Sequence, residues 1–352
     1  MTIAKASLIA AAVVCGLAPR AFAQSGDFFA GKTVDLHIGY DAGSSYDKYG
    51  RLLADHISRF IPGNPSFVSR NMPGAGSMRA ANFIIQAAKK DGTAWALVDR
   101  NVTTEPLLYG GESKAAFKHP SELTWIGSLN TEIGVFAVWQ TVGVSTWEEA
   151  QKKPIIAAMA SSQGGVSAKA INALLGGNLQ QVCCYGGDNN QNLALERGEV
   201  EARVGWSWSS LKITSMEWLQ SGKIKLLMQI GLQKNPEIPA DVPLILDLAT
   251  NEKDKAALRI IFSSQSVGRP FIMPVGVPKD RVEIVQRAFT AMAKDKDFLA
   301  QADRHRLEVN DPKSGDEIAH LLTDVYAAVP EVVAAARAAI KSGEVKMIEE
   351  KK

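Results

Sequence analysis

The chain is short of most residues that mark covalent or metal chemistry. It has 3 cysteines and 5 histidines in 352 residues. Cys183 and Cys184 are neighbours, and the histidines at 37, 56, 119, 305 and 320 all lie far from them in sequence. A structural zinc site needs about four ligands, in close-spaced pairs, so no metal site is assigned. A disulfide between adjacent residues is strained in geometry. The favoured reading of 183–184 is two small side chains on opposite faces of a strand over Gln181–Tyr185. There is no H-E-x-x-H helix and no G-x-S-x-G elbow, because Gly205-Trp206-Ser207-Trp208 runs into Ser209. No catalytic residue and no cofactor are assigned. A triad assembled in space leaves no trace in sequence, so a secreted hydrolase stays open as an alternative.

Charge of one sign is lacking too. Lys plus Arg number 39 and Asp plus Glu 37. With no basic run there is no electrostatic footprint for nucleic acid. Long apolar runs are confined to the N-terminus, where Lys5 precedes the stretch Ala6–Ala18 and Ala21-Phe22-Ala23 precedes Gln24. This is a secretory signal over residues 1–23, cut near Ala23. The run is shorter than the roughly 20 residues a membrane span needs, and Val13-Val14 before Cys15 lacks the small residue of a lipoprotein signal. Cleavage removes Lys5 and Arg20 and no acids, so the formal +2 falls to neutrality. Roughly 330 mature residues exceed what one core supports, and two domains are expected.

What the chain does have is a set of strand-to-helix junctions rich in glycine and serine. Three stand out: Asp41-Ala42-Gly43-Ser44-Ser45-Tyr46-Asp47, Asn71-Met72-Pro73-Gly74-Ala75-Gly76-Ser77, and Ser161-Ser162-Gln163-Gly164-Gly165-Val166-Ser167. A helix start carries unpaired N–H groups and a partial positive charge, so it can hold an anion without lysine or arginine. Glycine and serine also cap helices with no ligand involved. Two other matches fail on context. Gly26 to Thr33 fits G-x-x-x-x-G-K-[ST], but that loop works between a strand and a helix, and here it precedes a strand. Gly74-Ala75-Gly76 opens a dinucleotide pattern that Arg79 breaks.

Alternating apolar residues place strands at Val34–Ile38, Phe67–Val68, Trp95–Val98, Gly134–Trp139, Ile155–Ala160, Gln181–Tyr185, Val200–Gly205, Ile224–Ile230 and Gly268–Met273. Helical spacing follows most of them, including Trp147–Gln151, Ser167–Leu175, Asn190–Arg197, Leu211–Gln220 and Lys279–Lys294. A last helix runs from Ser314 to Ile340, kinked or split at Pro330. The alternation predicts mostly parallel sheets covered by helices. Crossings at Leu123–Asn130 and Gln229–Pro239 divide the chain into lobe 1 (27–128 plus 234–352) and lobe 2 (129–233), joined by a hinge. His37 and His56 read as structural or surface residues.

These junctions resemble, in order, the motifs of the substrate-binding receptors of tripartite tricarboxylate transporters. Ala42-Gly43-Ser44-Ser45-Tyr46-Asp47 is similar to the family's P-G-G-x-x-D, and Asn71-Met72-Pro73-Gly74-Ala75-Gly76-Ser77 to N-x-P-G-A-G-G. Lys90-Asp91-Gly92-Thr93 resembles P-D-G-Y-T, and the junction at 162–167 the family's G-x-G-S. Tyr185-Gly186-Gly187 resembles Y-K-G, Gly198-Glu199-Val200-Glu201 G-G-x-V-D, and Pro274-Val275-Gly276-Val277-Pro278 A-P-x-G-T-P.

The resemblance implies an α/β, two-lobed periplasmic binding protein of the Venus-flytrap, type II-like kind. Each lobe would be a mixed, mostly parallel sheet flanked by helices. It implies a monomeric, non-enzymatic receptor that binds a small organic carboxylate between the lobes and delivers it to integral-membrane transporter subunits. A sensor of the same fold, signalling to a membrane kinase, is the nearer alternative. Carried over, the resemblance nominates Gly43, Ser44, Ser45, Gly74, Ala75, Gly76, Asn101, Ser162, Gly165, Ser167 and Tyr185 for the ligand. Asp47 either favours its helix dipole or meets a ligand amino group. Asp188, in the polar run 188–192, either adds a polar contact or caps a helix. Trp206 and Trp208 alternate, so one of them can face a cleft, and Trp206 facing it would suit an aromatic or larger carboxylate.

Overall fold

The structure is a computed structural model that describes residues 28–159, 165–183, 185 and 187–342. Residues 1–23, read above as a secretory signal, lie outside the described residues, as do Ser162 and Cys184.

The first half of the chain builds β1 (Thr33–Ile38), α1 (Ser45–Ile57), β2 (Ser66–Asn71), α2 (Met78–Gln86), β3 (Ala94–Leu97), α3 (Glu105–Tyr109) and β4 (Leu123–Ser128). It then enters the second lobe with β5 (Gly134–Trp139), α4 (Trp147–Ala150), β6 (Ile155–Ala158), α5 (Val166–Leu175), β7 (Leu179–Val182), α6 (Asp188–Glu196), β8 (Ala202–Ser207), α7 (Trp208–Thr214), α8 (Met216–Gln220), β9 (Ile224–Ile230) and α9 (Glu252–Ile261). The return comprises β10 (Pro270–Pro274), α10 (Lys279–Met292), α11 (Lys296–Arg304), β11 (Lys313–Ser314), α12 (Gly315–Tyr326) and α13 (Pro330–Ser342). The string resembling a phosphate loop leads through a turn into β1, with no helix after it.

Two sheets result, in the orders β11-β4-β10-β3-β1-β2 and β7-β6-β8-β5-β9. The βα units give parallel pairs, β1 with β2 and β3, and β6 with β7 and β8. Strands that meet across a lobe crossing pair antiparallel: β10 with β3 and β4, and β5 with β8 and β9. Antiparallel pairing therefore has a larger share than the alternation predicts. A strand arriving from the other lobe needs no right-handed crossover helix, so its direction is free.

Segment 123–128, read from sequence as an extended crossing, is the inner strand β4. Gly127 lets it pack: a Cβ there would come within 2.2 Å of the Phe289 ring. The predicted helix 211–220 is broken at Ser215 into α7 and α8. Pro330 splits the last helix and is the first residue of α13. The strand predicted to run through Tyr185 stops at Val182, and Cys183 beyond it is disulfide-bonded. This corrects the reading of 183–184 as inert strand residues.

Each sheet has its own core. Leu36, Ile38, Trp95, Leu97, Phe271 and Phe289 are buried in the first lobe, and Phe136, Trp147, Ile171, Leu227 and Met228 in the second. The apolar side chains of 238–262 and 336–340 pack into the second core. Helix α13 thus straps back across, and Arg337 Nε donates to the Leu107 carbonyl of α3 at 2.7 Å. His37 lies against Phe83, and His56 Nε2 bonds Gln301 Oε1 at 2.8 Å, both in packing roles. Among the described residues no single helix is long and apolar enough to cross a membrane.

Candidate functional site: a cleft between the lobes

The carboxyl ends of β1, β2, β3, β7 and β8 all open on one cavity of about 190 Å³ between the two sheets. Ligands of open α/β sheets lie at such strand ends, where loops pass into helix N-termini.

At the first junction Ser44 caps α1, its Oγ accepting from Asp47 N at 3.2 Å. The Ser45 and Tyr46 N–H groups of the first turn find no acceptor among the described residues. Ser44, Ser45 and Tyr46 line the cavity. Gly43 does not line it; its φ of +80° makes the turn and its N–H donates to Asp47 Oδ2 at 2.9 Å. The Asp47 carboxylate is taken up entirely by Gly43, Arg51 and Asn71. It braces the junction behind the cavity wall and is not a lining residue.

At the second junction Gly74, Ala75, Gly76 and Ser77 all have positive φ. Ala75 and Ser77 are held there against their preference, at a cost of roughly 1 kcal/mol or more each. Ser77 donates to the Gly39 carbonyl at 3.1 Å. Ala75 and Gly76 reach the cavity and Gly74 does not.

The third junction starts α5. Gly165 at its N-cap has φ +78° and no capping side chain, and an added Cβ would come within 2.1 Å of the Gln181 side chain. The N–H groups of Val166, Ser167 and Ala168 find no acceptor among the described residues. Gly165, Val166 and Ser167 line the cavity. Tyr185 does not; its hydroxyl lies 3.4 Å from Glu199 Oε2. Trp206 lines the cavity, whereas Trp208 turns away and donates from Nε1 to Glu237 at 2.9 Å. Asn101 lines it as well, and its Oδ1 accepts from Ser264 Oγ at 3.1 Å.

Three buried arginines are the part the sequence reading missed, since it expected a site free of cations. Arg203 is paired: Nη2 meets Asp188 Oδ1 and Nη1 meets Asn192 Oδ1, each at 2.7 Å, and the guanidinium lies 3.9 Å over the Trp206 ring. Asp188 therefore lines the cavity as half of an ion pair, and its other oxygen accepts from Ser45 of lobe 1 at 2.9 Å. Arg269 sits behind, paired with Glu132 at 3.2 Å and stacked on Tyr46 and Tyr49. Arg100 differs. It lines the cavity at the end of β3, 6% exposed, and donates to Ser207 Oγ at 2.7 Å and the Gly205 carbonyl at 3.3 Å. No carboxylate pairs with it among the described residues, and its Nε has no partner. Neighbouring Asp99 is occupied by the Tyr40 hydroxyl at 2.7 Å, the Tyr46 hydroxyl at 3.2 Å and Asn101 N at 2.8 Å. Burial first, and then the Asp99 charge, push both tyrosine pKa values far up, so both remain donors to it.

The only signal for Arg100 in the sequence is its place just before Asn101 at a strand end. No group of three or more His, Cys, Asp or Glu that could hold a metal occurs among the described residues.

Gly205 brings these parts together: an added Cβ there would reach 2.5 Å from Ser167 Oγ, while its carbonyl accepts from Arg100. The uncapped α5 terminus, the Ser167 hydroxyl and the unpaired guanidinium thus converge, with both sheets presenting strand ends to the gap. The chain has the fold of the TctC-type periplasmic solute-binding proteins. A TctC solute-binding protein from Polaromonas aligns over 88% of this chain and 98% of its own at 20% identity, with a TM-score of 0.59. MatC from Rhodopseudomonas palustris, solved with bound malate, aligns over 86% and 99% at 18% identity, with a TM-score of 0.66. Another R. palustris protein, solved with adipate, aligns over 87% and 97% at 16% identity, with a TM-score of 0.65. At these identities the likeness is one of fold, and it agrees with the resemblance read from the sequence motifs. A UPF0065 protein from the gbd 5′ region of Cupriavidus necator is 38% identical over 96 residues. That match spans 27% of this chain and 28% of the curated relative. No family model matches the chain.

Proposed function

We propose that this solute-binding fold serves an exported receptor, which closes its lobes on a small organic carboxylate and delivers it to an integral-membrane transporter. The observation that carries the reading is Arg100, a buried guanidinium that no carboxylate contacts among the described residues, beside the N-terminus of α5 and the Ser167 hydroxyl, neither of which is bonded among those residues. No carboxylate of the described residues contacts this guanidinium, so it keeps donors that a ligand carboxylate can take. Charge-assisted hydrogen bonds from a guanidinium and from backbone N–H groups are about twice as strong as neutral ones. The signal at residues 1–23 supports export, and the neighbours solved with malate and adipate support a carboxylate.

No covalent step is involved. Closure is a population shift, because a ligand touching both lobes binds the closed form better than the open one. The test is thermal unfolding of the mature protein, refolded to strip carried-over ligand, against carboxylates, amino acids and sugars. A ligand at 100 times its Kd stabilises by about 2.7 kcal/mol, which moves Tm by a few degrees. The expected result is a shift with carboxylates that is lost in Arg100→Gln. Shifts with sugars alone, or with nothing, would reject the reading.

A further inference from the structure

This inference rests on the receptor reading above and concerns what the ligand carries besides the carboxylate that meets Arg100. Gln181 on β7 and Gln265 in the short turn 263–266 both line the cavity, and they are 2% and 3% exposed. Among the described residues neither side-chain amide makes a hydrogen bond, and Oε1 of each is fully buried without a partner there. Trp206 Nε1, also on the cavity wall, is a third buried polar atom with no partner. Each such group destabilises the fold if nothing meets it. Two amides and an indole N–H around one cavity therefore fit a ligand that brings its own polar atoms. Whichever way an amide is turned, it both donates and accepts.

Charge limits what those atoms can be. Of the carboxylates around the cavity, Asp188 is paired with Arg203, and Asp99 is held by two tyrosines and a backbone N–H. Glu105 is turned to Ser113 Oγ and Lys114 N. Arg100 is thus the lining cation that no carboxylate contacts among the described residues; the Asp99 and Glu132 charges act on it only from a distance. A second ligand carboxylate would share the cavity with Asp99 and Asp188 and find no cation of its own. Unpaired and desolvated beside like charges, it would be strongly disfavoured.

We infer that the ligand is a monocarboxylate that also carries a neutral group able both to donate and to accept hydrogen bonds, of the carboxamide kind. Gln181 and Gln265 select this group over a second carboxylate. The test is calorimetric titration of the ligand-stripped mature protein with matched pairs: succinate and succinamate, glutarate and glutaramate, adipate and adipamate. The half-amide of the best-fitting length is expected to bind about tenfold or more tightly than its dicarboxylate. Gln181→Leu and Gln265→Leu, each checked for an intact unfolding transition, are expected to bring that ratio towards one. Arg100→Gln is expected to weaken both members alike. Dicarboxylates that bind as tightly as half-amides would overturn the inference and leave the receptor reading standing. So would a ratio unchanged in both glutamine variants, the outcome if the amides hold only water. Binding of neither kind of carboxylate would overturn both.

Discussion

Arg100 concentrates the argument at the scale of single residues. Its neighbours Arg203 and Arg269 are as deeply buried, but each has a carboxylate partner, and removing one partner of such a pair costs about 3–5 kcal/mol. Arg100 has only a hydroxyl and a carbonyl. Its substitution should therefore separate binding from stability. In Arg100→Gln the carboxylate affinity is expected to fall by about 10- to 100-fold, while the ligand-free unfolding midpoint moves little, because no ion pair is broken and only bonds to a hydroxyl and a carbonyl are lost. Calorimetry and thermal unfolding on one preparation check this; a variant that loses stability without losing affinity would count against the assignment. Several nominated residues turn out to support the site from behind. Asp47 and Gly43 brace one another, Gly74 makes a turn, and Tyr185 reaches for Glu199. A motif marks a junction, and which of its side chains reach the cavity depends on the turn's dihedral angles.

Helix termini and strand ends set the chemistry at the scale of elements. The N-terminus of α5 is left uncapped on the cavity, whereas that of α1 is partly satisfied by Ser44 and that of α6 begins with Asp188 itself. Asp188 ties α6 to β8 through Arg203 and to α1 through Ser45, so its ionisation state bears on both lobes. Burial alone would raise its pKa; the charge and hydrogen bond of Arg203, with the Ser45 hydroxyl, outweigh burial and hold it below the ordinary 3.8. A depressed carboxylate contributes stability that is present above its unfolded value and lost as the pH falls through the folded one. His37 has its pKa lowered below 6.5, first by burial, so it too gives up stability on acidification, beginning near that value. Thermal unfolding midpoints are expected to decline gently below pH 6.5 and more steeply below 3.8. Asp188→Asn should flatten the steeper limb and cost about 3–5 kcal/mol at neutral pH, by leaving Arg203 unpaired. Coincident acid limbs in the two proteins would rule out this role for Asp188. These elements were largely legible. Strands 34–38, 134–139 and 224–230 and the helix over 167–175 follow from period alone. Strand β4 escaped notice because a buried inner strand reads like any extended apolar segment.

The described residues form two lobes, each built on its own sheet, joined through 129–133 and 263–269, with α13 strapped back onto the second lobe. The lobes meet across the cavity through polar contacts: Ser45 Oγ with Ser210 Oγ at 2.7 Å, Ser45 with Asp188, and Arg100 with Ser207. On the far side Lys212 bridges Glu237 and Glu308. Contacts of this kind contribute about 1 kcal/mol each, too little to hold the lobes shut as a buried apolar interface would. The radius of gyration from solution scattering is expected to be larger for the ligand-stripped protein than for the protein saturated with its carboxylate. Equal values in the two states would mean that binding needs no closure.

The class of fold and the helix starts after 38 and 71 are written in the sequence, whereas the lobe to which 238–262 and 336–340 belong is not. Hydrophobic period and turn chemistry are local properties, written within a dozen residues. The sequence did not determine the charge or selectivity of the cleft. Arg100, Gln181, Arg203 and Gln265 stand on four separate elements and meet only when the two sheets face each other. Which of those polar groups is paired and which is left open is a property of distances across the gap. The tertiary structure alone decides it, because a buried charge or amide is neutralised or exposed by neighbours that no sequence spacing records.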